Sequence, residues 1–385
     1  MGEVPWKAEP HTLAKLEILR RYLGAWFSII CQRFDELVYV DATSGPGEYS
    51  GGEDGSPLVA LDAAKQVVTR SDIRLKCTSL RFWFGDQELK YIEHLRGLVD
   101  RRTWPPRFAV QYRSADLTDL VREVLRELPV EGTTPFFTFI DPFGNHAPLV
   151  LIGEIMAHPS AEVFLLFSPS DVRRNAANEN SEQRRRIEEV WGGNEIAALA
   201  PRLDDAALAG AYGCKLRRFA EFVRSFRMKC SPGRTVYFLF FLTNRVEGFV
   251  KMKEAMWPTS GSKAYECSDA EDEDQLPLFS SDEDAKEPVR CLLCQQFRDR
   301  QEVSGFEVER WVNAETMYLN KHKTAALRTA ETCGTVCAGI TKADGTRRRK
   351  GSFPNDAIMG FGPRLCGDNV CRRLQSSGRN QHGTR

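Results

Sequence analysis

Small and acidic residues follow the first apolar strand that the sequence suggests. The apolar run 37–40 ends in Asp41, and a turn containing Gly45 and Gly47 follows. Glycine at such a turn lets a ligand approach the backbone closely, and in nucleotide-type sheets the ligand is NAD(P), FAD or S-adenosylmethionine (SAM). The loop lacks the Gly-Lys-Ser/Thr ending of NTPase loops and a regular GxGxxG pattern. A tight turn between strand and helix is the alternative interpretation.

Two further acidic residues stand where the next apolar strands end. Asp86 follows the run 81–84, at a position where an acid binds ribose hydroxyls in both NAD and SAM sites. Asp116 follows the run 108–110 and would lie beside the adenine ring of SAM. Either residue could instead cap the helix that follows it. The predicted cofactor-binding residues are Asp41, Gly45, Gly47, Asp86 and Asp116.

The fourth apolar run, 136–140, leads into Asp141, Pro142 and Phe143. This stretch is similar to the (D/N)PP(Y/F) motif of amino-methyltransferases, although it has a single proline. In that motif a carboxylate and a backbone carbonyl accept hydrogen bonds from the two N–H groups of an exocyclic amine. These bonds orient the lone pair of the nitrogen. An aromatic ring stacks on the flipped base. We therefore predict Asp141, Pro142 and Phe143 as catalytic residues, with a simple strand-ending turn as the alternative.

These motifs need a scaffold in which apolar strands alternate with amphipathic helices. Strands are predicted at the runs named above, at 163–167 and at 236–242, and helices are predicted to fill 182–228. Ser56 and Pro57 are predicted as the N-cap and first residue of the second helix. The alternation predicts an α/β fold, a Rossmann-like parallel sheet with helices on both faces. Ligands of such sheets bind at the carboxyl ends of the strands, where the motifs fall.

The chain divides by composition into five predicted segments. A helical extension over 1–36, whose helix interleaves Lys15 with apolar residues, precedes the Rossmann-like domain at 37–257. An acidic and disordered linker is predicted at 258–287, because it contains ten acidic residues and two lysines. Three helices and a hairpin over 288–363 predict a winged helix. The stretch 364–385 has no periodicity and is predicted to be a disordered tail.

The charges of the chain cancel only in sum. The sequence has 53 Lys+Arg and 53 Asp+Glu among 385 residues, which would argue against a nucleic-acid partner if the charges were evenly spread. The linker is net −8, however, and the region from 288 onwards is net +8. Basic residues on the third helix and the wing predict phosphate contacts to DNA or RNA. They are Lys321, Lys323, Arg328, Arg347, Arg348, Arg349 and Lys350, and a solvated basic face is the alternative.

Several other classes of protein are not expected. The apolar runs are shorter than the roughly 18 residues needed to cross a membrane, and the first ten residues have no apolar signal-peptide core. The 11 cysteines are expected to be reduced thiols in the cytoplasm. Cys291 and Cys294 could bind zinc together with Cys333 and Cys337, but packing within a helix is favoured, so no metal site is predicted.

Several blocks of the sequence together resemble one bacterial family, the three-Cys-motif partner proteins (TcmP). The resemblance includes 11–26, the loop from Val38, FFTFIDPFG from Phe136 and FLFFLTNRVEGFVKMKEAMW from Phe238, and continues through the region ending near SFPNDAIMGFG. It implies a fold like that of SAM-dependent methyltransferases and a partner protein with a three-Cys motif. Thr43 and Ser44 depart from the family pattern, because Phe-Ala is usual there.

Together these observations predict a SAM-dependent methyltransferase that acts on an exocyclic amino group of a nucleic-acid base, with adenine N6 favoured. SAM is the predicted cofactor. The transfer would be a direct displacement in which proximity and orientation supply most of the acceleration. The main alternative is a non-catalytic nucleic-acid-binding or partner-regulated protein that keeps the methyltransferase fold. An NAD-dependent enzyme is a third alternative, but it would leave the Asp-Pro-Phe-Gly stretch without a purpose.

Overall fold

The structure is a computed structural model that describes residues 5–129, 134–142, 147–178, 181–230, 234–259, 266–268, 281–342, 346 and 348–362. The chain forms two compact units, Met1–Asp272 and Glu273–Arg385. Phe143 and Arg347, together with the predicted tail at 364–385, lie outside the described residues.

The first unit contains an eight-stranded sheet. In chain order its strands are β1 Glu36–Asp41, β2 Ser79–Asp86, β3 Phe108–Ser114, β4 Phe136–Ile140, β5 Ala161–Phe167, β6 Phe222–Cys230, β7 Arg234–Thr243 and β8 Glu266–Ser268. Their spatial order is β3-β2-β1-β4-β5-β7-β6-β8. The pairs among the first five strands are parallel, and β7 is antiparallel to both β5 and β6.

Helices fill most of the connections between these strands. They are α1 Pro10–Ile30, α2 Ser56–Val68, α3 Leu89–Asp100, α4 Leu117–Glu127, α5 Leu149–Met156, α6 Pro169–Ala176, α7 Ser181–Trp191, α8 Ile196–Leu199, α9 Asp205–Leu216 and α10 Val246–Met256. On one face, the rings of Tyr22 and Trp26 from α1 pack on Phe137 of β4, at centroid distances of 5.5 and 5.8 Å. On the other face, α4 and α5 join β1 and β4 in one buried cluster.

The continuous apolar strands of the sequence become the central strands of the sheet. All five residues of β4 and all seven of β5 are buried, as expected for strands covered on both faces. The α/β fold predicted from the alternation of strands and helices is therefore confirmed.

The prediction of helices throughout 182–228 is wrong at its end, because Phe222–Cys230 is strand β6. Val223 and Phe226 have the spacing of a helix face, which explains the error. In the structure both side chains are buried while the backbone pairs with β7, so the long-range partner overrides the local pattern. Within the segment predicted as a linker, residues 266–268 form β8, which pairs in parallel with β6.

The second unit combines α-helices with a small sheet. Its elements are α11 Ser281–Asp284, α12 Lys286–Gln296, β9 Val303–Ser304, α13 Gly305–Glu315, α14 Asn320–Thr332, β10 Val336–Lys342 and β11 Ala357–Phe361. The strands pair antiparallel in the order β10-β11-β9. One buried cluster joins Leu293 of α12, Val308 of α13, Leu327 of α14 and Met359 of β11. The predicted three helices and hairpin are present, and β9 adds a third strand.

A buried carboxyl group connects α1 to the sheet of the first unit. Glu162 of β5 accepts hydrogen bonds from the Tyr22 hydroxyl at 2.5 Å and the Thr243 hydroxyl at 2.9 Å. Burial raises the pKa of Glu162 from its ordinary 4.5 to about 7, against the opposing effect of these hydrogen bonds. The folded state therefore binds a proton that the unfolded chain has already released between these two pH values.

We predict that the contribution of Glu162 to the stability of the protein falls as the pH rises from 4.5 to 7. Linkage gives roughly 3 kcal/mol for a pKa difference of this size. Glu162→Gln has no proton to lose, so its free energy of unfolding in urea should vary less over this range. Glu189→Gln, on the exposed surface of α7, is the control and should follow the wild type. Identical pH dependence in all three proteins would contradict the role of Glu162.

Candidate functional site

Three of the predicted acidic residues meet at one edge of the first unit's sheet. β1 lies between β2 and β4, and Asp41 is level with Phe84 and Phe139 on these two strands. Asp86 ends β2, and Asp141 follows the last residue of β4. Because parallel strands end at the same edge, the carboxyl groups gather there. Asp86 and Asp141 both act electrostatically on Asp41.

The loop after β1 depends on glycine at two positions. Gly45 and Gly47 have φ angles of +58° and +87°, a region that other residues rarely adopt. A Cβ atom on Gly47 would also lie only 2.5 Å from Cδ1 of Leu95 on α3. The loop then folds back, and the Gly55 amide donates to the Gly47 carbonyl at 2.7 Å. Gly55, not Ser56, is the N-cap of α2, so the predicted Ser56 cap is wrong.

Asp86 holds this loop against the end of β2. Its carboxylate accepts hydrogen bonds from the backbone amides of Gly45, at 3.1 Å, and Glu88, at 2.9 Å. Burial raises the pKa of Asp86, and the two amide bonds oppose this effect. Ser44 adds a second connection, because its hydroxyl and amide both donate to the Gly85 carbonyl. The structure therefore brings Asp86, Gly45 and Gly47 into one site.

Asp41 is the most buried of the three carboxyl groups. It is fully buried, and its Oδ2 atom has no hydrogen-bond partner among the residues that the structure describes. Burial is the main cause that raises the pKa of Asp41 to about 7. Interactions with the Ser56 hydroxyl and the Thr43 amide oppose the increase, whereas Asp141 and Asp86 reinforce it. Buried acceptors without a donor are rare in folded proteins, which marks Asp41 as a candidate functional residue.

Asp141 is fixed in place by residues outside the predicted motifs. Lys15, on α1, forms an ion pair with Asp141 Oδ2, and its side chain is only 6% exposed. The backbone amide of Asp141 donates to the Thr43 hydroxyl at 2.9 Å. The two departures from the family pattern, Thr43 and Ser44, thus both make hydrogen bonds that join neighbouring strand ends. Lys15 was expected among the polar residues of an amphipathic helix, and its burial at the site is a correction.

Two aromatic residues also belong to this region. Burial raises the pKa of Tyr49, and the charges of Asp141 and Asp41 add to the effect, so the Tyr49 side chain lies within electrostatic reach of both. The Trp6 ring passes within 4 Å of the position a Cβ would take on Gly45, and it packs edge-on against Tyr91 at 5.8 Å. The one feature of the sequence that could have indicated Tyr49 is its position as a large aromatic residue in a loop of small residues.

Asp116 caps a helix, which is the alternative role that the sequence offers for it. It is the N-cap of α4, where its carboxylate accepts from the Thr118 amide at 2.8 Å. The Gln87 side chain donates to its other oxygen at 2.8 Å. Asp116 is exposed and follows β3, the strand next to β2. The cap explains the residue without a ligand, and contact with an adenine ring stays a prediction.

The basic residues of the second unit differ in how far they reach solvent. Lys323 is buried and pairs with Glu309 of α13 at 2.6 Å. Arg348 is also buried, where it pairs with Glu331 of α14 and donates to the Ser352 carbonyl at 2.7 Å. Both side chains therefore support the fold of this unit.

The remaining basic residues lie closer to the surface. Lys321 is 54% exposed and pairs with Asp282 at 2.5 Å. Arg328 donates to the Gly351 carbonyl at 2.7 Å, and Arg349 and Lys350 are exposed. Arg328, Arg349 and Lys350 line an open groove of about 850 Å³ between α14 and the turn before β11.

No protein-family model and no curated protein matches the chain. Solved structures give distant likenesses over part of it. A Legionella pneumophila protein of the DUF519 family is 12% identical, with a TM-score of 0.35, over 61% of this chain and 86% of its own. An O-methyltransferase from Bacillus cereus in complex with SAH is 13% identical, with a TM-score of 0.33, over 62% and 83%. A human methyltransferase 10 domain containing protein is 8% identical, with a TM-score of 0.30, over 64% and 85%.

Within the described ranges, no three His, Cys, Asp or Glu side chains are grouped so that they could hold a metal ion. None of the helices in these ranges is long and apolar enough to cross a membrane.

The crowding at Gly47 can be tested against a second glycine of similar conformation. Gly52 has a φ of +88°, but a Cβ there would meet no atom within 4 Å. Alanine at either position should cost about 1–2 kcal/mol of backbone strain. Gly47→Ala should cost roughly 2 kcal/mol more, because Leu95 must move within a packed core. Urea unfolding of both variants measures the difference, and equal losses would refute close packing of the loop on α3.

Proposed function

We propose that the chain is a SAM-dependent methyltransferase. The supporting observation is the hydrogen bond that connects the carboxyl ends of β1 and β2. The Gly45 amide donates to the Asp86 carboxylate, and the buried Asp41 lies at the same edge. The strand order supports the same choice against an NAD-dependent enzyme. Dinucleotide-binding sheets have the order 3-2-1-4-5-6. Here an antiparallel strand, β7, stands between β5 and β6, which is the arrangement of Rossmann-like methyltransferases.

The residues at this edge suit the polar groups of SAM. Asp86 is partly exposed and keeps lone pairs for ribose hydroxyls, even with two amide donors bound. Asp41 is fully buried, so its carboxyl group would favour the cationic donor electrostatically and not by direct contact. The positive φ angles of Gly45 and Gly47 let a ligand approach the backbone. When bound, SAM would supply an electrophilic methyl group on a sulfonium.

Asp141 would orient the acceptor. Its side chain is 23% exposed, and among the described residues no group donates to Oδ1, so Oδ1 can accept a hydrogen bond from an amino group. Pro142 would present its carbonyl to the second N–H, and the Phe143 ring would stack on the base. Hydrogen bonds from both N–H groups to these acceptors would direct the nitrogen lone pair toward the methyl group of SAM. An exocyclic amine of a nucleic-acid base, with adenine N6 favoured, remains the acceptor that we propose.

We further propose that the second unit is a winged helix that contacts DNA or RNA. Three helices followed by a β-hairpin, with a short strand after the first helix, support this assignment. The groove beside α14 carries the exposed Arg349 and Lys350, whose charges suit phosphate. Lys321, Arg328 and Arg347 would add to this surface. Lys323 and Arg348 would act indirectly, by holding α14 and the turn in place.

Calorimetry with SAM and with NAD tests the cofactor. We expect SAM to bind and NAD not to bind. Asp86→Ala should weaken SAM binding by about 10–100-fold, because hydrogen bonds to a charged group contribute roughly 1.5–3 kcal/mol. Asp35→Ala, which removes an exposed carboxylate at the far edge of the sheet, is the control. Preferential binding of NAD would favour the dehydrogenase alternative.

Transfer of a labelled methyl group to pooled DNA and RNA tests the reaction and its acceptor. Asp141→Ala should abolish transfer even at SAM concentrations that saturate the variant. If SAM binds and no pool is labelled, the non-catalytic alternative is favoured. If Asp141→Ala leaves transfer unchanged, the acceptor site lies elsewhere.

The groove of the second unit can be tested by charge reversal. Arg349→Glu with Lys350→Glu should weaken nucleic-acid binding. It should also make the decrease of log K with log[salt] less steep, by the amount expected for the loss of about two phosphate contacts. The matched control is Arg298→Glu with Arg310→Glu, which changes two exposed arginines outside the groove lining. Equal effects of the two pairs would show that only the overall charge of the unit matters.

A further inference from the structure

Lys15 is a charged residue on the buried face of α1. It is 5% exposed and stands next to Leu16 on the buried face of α1. Its ammonium contacts Asp141 and lies 5.7 Å from the centre of the Tyr237 ring. Burying an ammonium group is costly unless it is paired, and a Met or Leu would fill this space at a lower cost. The charge itself therefore calls for an explanation.

The two members of the ion pair are unequally exposed. The Lys15 side chain is 6% exposed, whereas that of Asp141 is 23% exposed. The ammonium is thus almost fully enclosed by the protein, and the carboxylate is the member of the pair that a ligand can reach. Among the described residues, the Oδ1 atom of Asp141 accepts no hydrogen bond from the protein. The pair presents a hydrogen-bond acceptor to the site without presenting a net negative charge.

We propose that Lys15 sets the charge at the position where the methyl group is transferred, so that the site takes an uncharged amino group and does not select a protonated amine. This inference rests on the proposed methyltransferase function. An unpaired Asp141 next to Asp41 and Asp86 would attract cations, and a protonated amine has no lone pair to offer. With Lys15 in place, Asp141 selects by hydrogen bonding. Lys15 is a positioning residue, since it reaches the acceptor only through Asp141.

Two ligands measure this charge without any acceptor. S-adenosylhomocysteine (SAH) is neutral at sulfur, whereas sinefungin carries a protonated amine in place of the methylsulfonium. We define the charge ratio as the affinity for sinefungin divided by the affinity for SAH, measured by calorimetry on the full chain at pH 8. This pH lies above the raised pKa of Asp41, so that its carboxyl group is ionised.

Lys15→Met should raise the charge ratio by about tenfold, because it leaves the Asp141 charge uncompensated at short range. Asp141→Asn should lower the ratio by a similar factor, since it leaves the Lys15 charge alone. The double variant Lys15→Met with Asp141→Asn restores a neutral pair and should return the ratio to the wild-type value. It also keeps the test open if Lys15→Met alone does not fold.

Lys76→Met is the matched control, because Lys76 pairs with Asp35 at 3.2 Å at the far edge of the sheet. It should leave the ratio unchanged. A purely structural role for Lys15 would change the stability of the variants but not their charge ratio, and that result overturns the proposal. If the wild type binds neither SAH nor SAM, the proposed function itself fails, which is a different outcome from an unchanged ratio.

Discussion

Repulsion among three carboxyl groups at one sheet edge is the constraint on which the rest of the site depends. Asp41, Asp86 and Asp141 end or follow neighbouring strands, and the protein compensates each in a different way. Burial favours the protonated form of Asp41, raising its pKa to about 7. Backbone amides of Gly45 and Glu88 bind Asp86, and the Lys15 ammonium pairs with Asp141. Like charges can remain close only where such compensation is built in.

This compensation gives α1 a role beyond packing on the sheet. The helix supplies Lys15 at one end of its buried face and Tyr22 further along, so it serves both the open edge and the buried Glu162. The Trp6 segment that precedes it lies against the glycine loop. Residues before β1 are therefore part of the site, although they precede every motif that pointed to it.

In the second unit, the number of basic residues in the sequence does not show which of them lie on the surface. Part of its positive charge is neutralised inside the fold, because Lys323 and Arg348 are buried in ion pairs with Glu309 and Glu331. Such pairs have little charge left for phosphate. The exposed Arg328, Arg349 and Lys350 supply the positive charge of the groove. Sequence reasoning could find the basic cluster, but it could not divide it, since burial depends on which helix faces each side chain.

The sequence by itself determined the α/β class, most strand positions and the placing of Asp41, Asp86 and the glycines at strand ends, because these follow from local periodicity and turn chemistry. Tertiary structure decided what local patterns do not contain. It made Phe222–Cys230 a strand through pairing with β7, and it buried Lys323 and Arg348 against acidic partners. It also brought Lys15 to Asp141 across 126 positions of the chain. A contact between residues so far apart in the chain arises only from tertiary packing, here the packing of α1 on the sheet.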